Sequence, residues 1–285
     1  MLHFNRISVV GAGLIGGSIL LAAKKRNISA KFSCWSHSPS TISFWSDLGW
    51  VNTHTSLKDS VKDADLVVVA TPVDKMDETF VTIAPFLKSG CLITDVGSIK
   101  GGVLKAASVL PPSVNFIGSH PMAGSEKAGA KNARADLFEN RFCFVTPGPN
   151  DPTESVHKIE QFWQSLGSKT FICSAEKHDE IVAAISHTPH ASAAALILAV
   201  KNLPGFKQAA VGAGLKDSTR IAAGEENLWV GILLANAMHV AQGLKEVEKQ
   251  TAEIRSAIER GDASALSKIL ETARIARQSL DQTHE

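Results

Sequence analysis

The chain has 285 residues, of which 44% are hydrophobic and 20% charged, with a formal net charge of +1. That length allows one large or two modest domains with a sizeable core, and the composition is that of a soluble globular protein. The near-neutral charge excludes the electrostatic footprint of a nucleic-acid or anionic-membrane binder.

The first half alternates short β-branched runs with helical patterns. "ISVV" (7–10) reads as the first strand, with no room before it for a signal peptide. It runs into "GAGLIGGS" (11–18), where Gly11, Gly13 and Gly16 keep G-x-G-x-x-G spacing at a strand-to-helix turn. Gly11 permits the tight turn, Gly13 lets the backbone approach a pyrophosphate, and Gly16 lets the helix at 15–26 pack on the strand. Leu14 and Ile15, inside the turn, are expected to touch the same dinucleotide. The second strand, "KFSCW" (31–35), ends at Ser36, where an acid would bond the ribose 2′-OH of NAD. Ser36, His37, Ser38 and Thr41 can instead donate to a 2′-phosphate. No arginine is among them, so the expectation is NADP with NAD left open. "LVVVAT" (66–71) brings Thr71 and Pro72 to the cofactor edge, and a helix is expected at 75–87.

"CLITDV" (91–96) is the next strand, and the residues after it place Ser98 and Lys100 at the carboxyl edge of the sheet. "NFIG" (115–118) leads to His120, at an edge where α/β ligands collect. "FCFVT" (142–146), a helix at 153–166 and "TFICS" (170–174) complete residues 1–174 as a Rossmann-type, doubly wound parallel sheet. No convincing strand follows. Helices are expected at 175–187, 190–202, 225–259 and 263–282, so residues 175–285 read as an all-α substrate and dimerisation domain. Pro189 should kink or divide the first two, and Gly261-Asp262 should stop one helix and cap the next. "AAALILAV" and "VGILLANAMHVA" are too apolar all round to face water, which implies a homodimer. The apolar stretch 191–200 is shorter than the roughly 20 residues a membrane span needs.

Cys34, Cys91, Cys143 and Cys173 form no C-x-x-C pair and read as buried small hydrophobes in a reducing cytoplasm. His187-x-x-His190 lacks a third ligand at suitable spacing, so no metal is expected. His178, in "EKHDE", reads as a residue of a helix first turn rather than a catalyst. His37, His54, His157 and His239 carry no catalytic signal.

"GLIGGS", "TDVGSIKGG", "GSHPMAGSE", "SHTPHASA" and "KDSTRIAAGEENLW" occur in this order between the first strand and about residue 240. Together they resemble the prephenate and arogenate dehydrogenase family of tyrosine biosynthesis. The resemblance implies oxidation of a cyclohexadienol bearing a ring carboxylate: hydride leaves C4 for nicotinamide, CO2 is lost, and the ring becomes aromatic. It implies His120 as the base for the C4 hydroxyl, a role a neutral imidazole suits, with Ser98 orienting the hydroxyl or the histidine. Arg220 matches the arginine that grips a substrate carboxylate. Glu126 and Asp217 match acidic positions that hold or gate that arginine. His190, with Ser186 in the same string, matches the substrate side, and Trp229 lines the same pocket. Family members restricted to arogenate often carry an apolar residue at the position of His190, so prephenate is the expected substrate and arogenate the alternative. From the residues alone, Arg220 could pair with Glu225 or Glu226 and Trp229 could be core. Two other readings keep the glycine turn: another dehydrogenase with a helical second domain, such as a β-hydroxyacid dehydrogenase, pyrroline-carboxylate reductase or ketol-acid reductoisomerase, and a dinucleotide sensor without chemistry.

Overall fold

A computed structural model describes residues 2–124, 127–204, 206–207 and 210–282. The chain divides into two compact units, Met1–Val182 with Gly224–Asn236, and Ala183–Ala223 with Ala237–Glu285. The sequence suggested a cut after residue 174; in its contacts the first unit extends to Val182 and includes Gly224–Asn236.

The first unit opens β1 (Phe4–Val10), α1 (Leu14–Lys25), β2 (Ser29–Trp35), α2 (Pro39–Asp47), β3 (Val51–His54), α3 (Leu57–Val61), β4 (Leu66–Val69), α4 (Met76–Ile83), β5 (Leu92–Asp95), α5 (Gly101–Ala106) and β6 (Asn115–Phe116). The strands form one parallel sheet in the order β3-β2-β1-β4-β5-β6. Strand side chains alternate between faces. Accordingly Leu66 and Val68 of β4 join one apolar core with Ile7 and Val9, while Val67 and Val69 join the other with Val10 and Phe80. Burial on both faces explains why these strands read as unbroken apolar runs. The order reverses between β1 and β4, and ligands of open α/β sheets collect beyond such a switch point.

A second, three-stranded sheet follows, which the sequence reading had merged into the first. It comprises β7 (Gly118–Pro121), β8 (Phe142–Thr146) and β9 (Lys169–Ile172), with α6 (Thr153–Ser165) between the last two. β7 runs antiparallel to β8, with His120 opposite Phe144, and β9 is parallel to β8. "NFIG" is thus two strands: Ile117 still bonds back to Ile93, and Gly118 begins the new sheet.

Helices follow: α7 (Ala175–Val182), a π-turn at Ala183–His187, α8 (Thr188–Lys201), α9 (Ala213–Thr219), α10 (Glu226–Ala235), α11 (Ala237–Glu259) and α12 (Ala263–Gln282). α7 and α10 belong to the first unit, the others to the second. The expected helix at 225–259 breaks at Asn236, whose buried side chain donates to the Asp179 carbonyl at 2.8 Å. Gly261 (φ 63°) ends α11, and the Asp262 carboxylate caps α12 by accepting from Ala265 N–H at 2.9 Å.

Pro189 stands in the first turn of α8, which the π-turn at Ala183–His187 separates from α7, as expected of a proline that divides the two helices, although the run Ala175–Lys201 is helical throughout. An 18-residue stretch of that run, at mean hydropathy 1.4, is long and apolar enough to cross a membrane, although 191–200 alone is too short. Within the second unit α8 packs on α9 and α11. Gly243 permits a close approach, since a Cβ there would lie 2.2 Å from Thr188 Oγ1. Cys34, Cys91 and Cys143 are buried, whereas Cys173 is half-buried just past β9, contrary to its reading as core.

Candidate active site

The glycine turn between β1 and α1 is built as its spacing demands. Gly11 has φ 98°, and a Cβ there would sit 2.5 Å from the Ala70 carbonyl oxygen. A Cβ at Gly16 would strike the Gly11 carbonyl oxygen at 2.2 Å. Nothing lies within 4 Å of where a Cβ of Gly13 would be, so this backbone is open to a ligand. The fully buried Trp45 pins the turn by donating its indole N–H to the Ala12 carbonyl at 2.8 Å.

Gly11 and Gly13 open onto a cavity of about 740 Å3, also lined by Ser36, His37, Ser38, Thr41, Thr71 and Pro72. Its size and open glycine backbone fit a dinucleotide. Ser38 precedes Pro39 at the N-terminus of α2, a position that favours an anion. The sequence reading missed Lys75, Glu78, Thr79 and Thr82, which also line the cavity. Their helical spacing was visible, but nothing local showed that this face lines the cavity. Leu14 faces a second cavity of about 480 Å3, beside Met122, Lys127, Arg134 and Arg141. Ile15 is half-buried in the first turn of α1, and Gly16 is buried against the turn.

His120, on β7, stacks beside Phe144 of the neighbouring strand. Its Nδ1 lies 2.9 Å from Nε2 of His178 on α7. His178 Nδ1 lies 2.7 Å from Asp179 Oδ1. Asp179 also accepts from the backbone N–H of Lys100 and of Gly101, each at 2.8 Å. Burial works to raise the Asp179 carboxyl, but the bonds from His178 and these N–H groups outweigh it and hold the carboxyl below the usual range. Burial pushes His178 below the ordinary histidine range, against the pull of Asp179.

With His178 neutral and Asp179 ionised, the proton positions follow. His178 Nδ1–H donates to the carboxylate, so His178 Nε2 accepts. His120 Nδ1–H must then be the donor, which places the His120 lone pair on Nε2. His178 lies in the first turn of α7, as read from the sequence, and it is fully buried and bonded to His120.

Ser98 is half-buried on the loop between β5 and α5. Lys100, 1% exposed, closes this loop through an ion pair with the buried Asp95. Trp229 is half-buried on α10, which packs on the turn Val73–Lys75 beside the nucleotide cavity. Glu225 caps α10 by accepting from Asn227 and Leu228 N–H.

The second unit holds the other expected residues. His190 is buried on α8, and Ser186 is half-buried in the π-turn. Asp217 and Arg220 are exposed, on α9 and on the turn Arg220–Ala223, both of which pack against α8. Glu126 lies outside the described residues.

Comparison with known proteins matches residues 20–172 to the prephenate dehydrogenase nucleotide-binding domain and residues 174–272 to the prephenate dehydrogenase dimerization domain. The chain belongs to the prephenate dehydrogenase family. It is 36% identical to prephenate dehydrogenase of Bacillus subtilis, over 97% of this chain and 76% of the relative. It is 30% identical to cyclohexadienyl dehydrogenase of Zymomonas mobilis, over 100% and 99% of the two chains. The crystal structure of prephenate dehydrogenase from A. aeolicus, in complex with hydroxyphenyl propionate and NAD+, superposes with a TM-score of 0.90 at 28% identity, covering 98% and 99%. Family membership makes the chain an oxidoreductase of the prephenate/arogenate dehydrogenase type with a pyridine nucleotide cofactor.

Proposed function

We propose that this enzyme oxidatively decarboxylates prephenate to 4-hydroxyphenylpyruvate, with NADP as the preferred cofactor. The observation that carries the chemistry is the bonded series His120, His178, Asp179, which engages Nδ1 of His120. Bound pyridine nucleotide supplies the hydride acceptor. His120 Nε2 takes the C4 hydroxyl proton as hydride departs from C4, and Ser98 orients that hydroxyl or the histidine. The C4–O bond gains carbonyl character, and loss of the ring carboxylate as CO2 returns its electron pair to the ring. Aromatisation makes the step strongly downhill, so the protein's task is to position the reactants and accept one proton. Arg220 grips a carboxylate with its planar fork, and Asp217 holds or gates that arginine. His190 donates to the substrate side chain, with Ser186 on the same side.

The NADP preference rests on Ser36, Ser38 and Thr41 in the nucleotide cavity at the place of a ribose-binding acid, and on the N-terminus of α2 beside them. Exposed Leu196, Leu198, Met238, Ile258 and Leu270 in the second unit, together with the dimerization-domain match, support a homodimer through the helical unit. The cell compartment we infer is the cytoplasm. Arogenate is the second reading, favoured by the carboxylate of Asp217, which suits an ammonium group. Initial rates with prephenate or arogenate, each with NADP or NAD, separate these readings. Prephenate with NADP should give the highest kcat/KM; faster turnover of arogenate, or with NAD, overturns the corresponding half.

A further inference from the structure

We propose that Lys100 is a positioning residue that ties the Ser98 loop, the His120 strand and the His178–Asp179 pair into one frame. The inference rests on His120 acting as the base. Its motive is the set of groups that this one residue touches. The Lys100 ammonium is buried and donates to Asp95 and, at 2.7 Å, to the Ser119 carbonyl. That carbonyl belongs to the peptide joining Ser119 to His120. The other Asp95 oxygen accepts from Ser119 N–H at 3.1 Å, and Ser119 Oγ donates to the Asp95 carbonyl at 2.6 Å. Ser119 is therefore clamped on both of its peptide groups and its hydroxyl by the ion pair and its strand. The Asp95–Lys100 pair also spans the loop that carries Ser98, whose turn is fixed by Gly97 N–H donating to Asp95 at 2.7 Å. Finally, the Lys100 backbone N–H donates to Asp179 Oδ1, the oxygen that faces His178 Nδ1.

Stability alone does not account for the pair. Burying two charges carries a desolvation cost that their attraction often fails to recover, and well-packed apolar residues commonly serve as well. What an apolar pair cannot do is direct hydrogen bonds to the Ser119 carbonyl and N–H. Losing those bonds frees β7 to shift beside the base, and a misplacement of about 1 Å can cost roughly a hundredfold in rate.

Lys100→Met alone leaves Asp95 charged and buried, so the deciding variant is Asp95→Asn/Lys100→Met, which removes both charges. Its bound NADP+ per chain is measured first by equilibrium dialysis, then kcat per bound nucleotide and KM for prephenate. The proposal expects one NADP+ per chain, KM within about threefold of the parent and kcat lower by about ten- to a hundredfold. A variant that keeps its kcat within about threefold overturns it. So does one that no longer binds NADP+, because the pair is then a stability element. If the parent enzyme turns over neither prephenate nor arogenate, the reading of His120 as base fails first, and that result is distinct from either outcome of the variant.

Discussion

His178 Nε2 accepts from His120 Nδ1 across 2.9 Å, and the bond sets which nitrogen of His120 carries the lone pair. Removing the acceptor leaves the tautomer of His120 unspecified. His178→Phe keeps an aromatic ring against Phe144, whose centroid is 4.9 Å away. A hydrogen bond of this kind contributes about 1 kcal/mol, so kcat should drop by roughly fivefold or more while KM for prephenate holds. An unaltered kcat means that His178 only packs.

Acid should weaken the fold. Burial holds His54, His178 and His190 below the ordinary histidine value of 6.5. Below that pH the unfolded chain takes up protons that the folded chain does not. The contribution to stability is therefore complete above 6.5 and is lost as pH falls towards the lowered folded-state values. Melting curves followed by circular dichroism should show Tm falling between about pH 7 and pH 5, less steeply in His178→Phe. A Tm that rises over this range contradicts the assignment.

Cofactor choice should turn on Ser36. A carboxylate there repels a 2′-phosphate and accepts from a free 2′-OH. Ser36→Asp is expected to move the ratio of kcat/KM for NADP over NAD towards NAD by about tenfold or more. If the ratio does not move, the 2′ position of the ribose lies elsewhere in the cavity.

Arg220→Ala should raise KM for prephenate roughly ten- to a hundredfold, with less effect on kcat, since a hydrogen bond to a charged group is worth about 1.5–3 kcal/mol. Lysine should rescue poorly because it lacks a planar fork. Glu225 is engaged in capping α10, which weakens its earlier reading as the structural partner of Arg220. A KM like that of the parent would return Arg220 to a structural role.

The features legible in the sequence are those whose cause is local. The glycine turn was readable because Gly11, Gly13 and Gly16 each meet a constraint within one strand-to-helix unit. The parallel strands were readable because both of their faces are buried. By contrast β3, with its sequence "VNTH", is a short edge strand without an apolar run, and it was missed. Asn236 breaks an apolar helical pattern for a bond to Asp179, 57 residues away in sequence. The bond between His178 and His120 was not legible for the same reason. "EKHDE" looks like a solvated helix surface, and only the fold reveals that His120, 58 residues earlier, meets it. The residues named through family resemblance divide between the two units, His120 and Ser98 in the first and His190, Asp217 and Arg220 in the second.

The most direct test of the account is kcat for His120→Asn, measured with saturating prephenate and NADP against the parent enzyme. Asparagine keeps a polar side chain of similar reach and removes the basic nitrogen. General base catalysis is worth about 10²–10⁴-fold, so kcat should fall by that order with KM for prephenate little changed. A variant that retains most of its kcat contradicts the account, because the proton must then leave the C4 hydroxyl by another route.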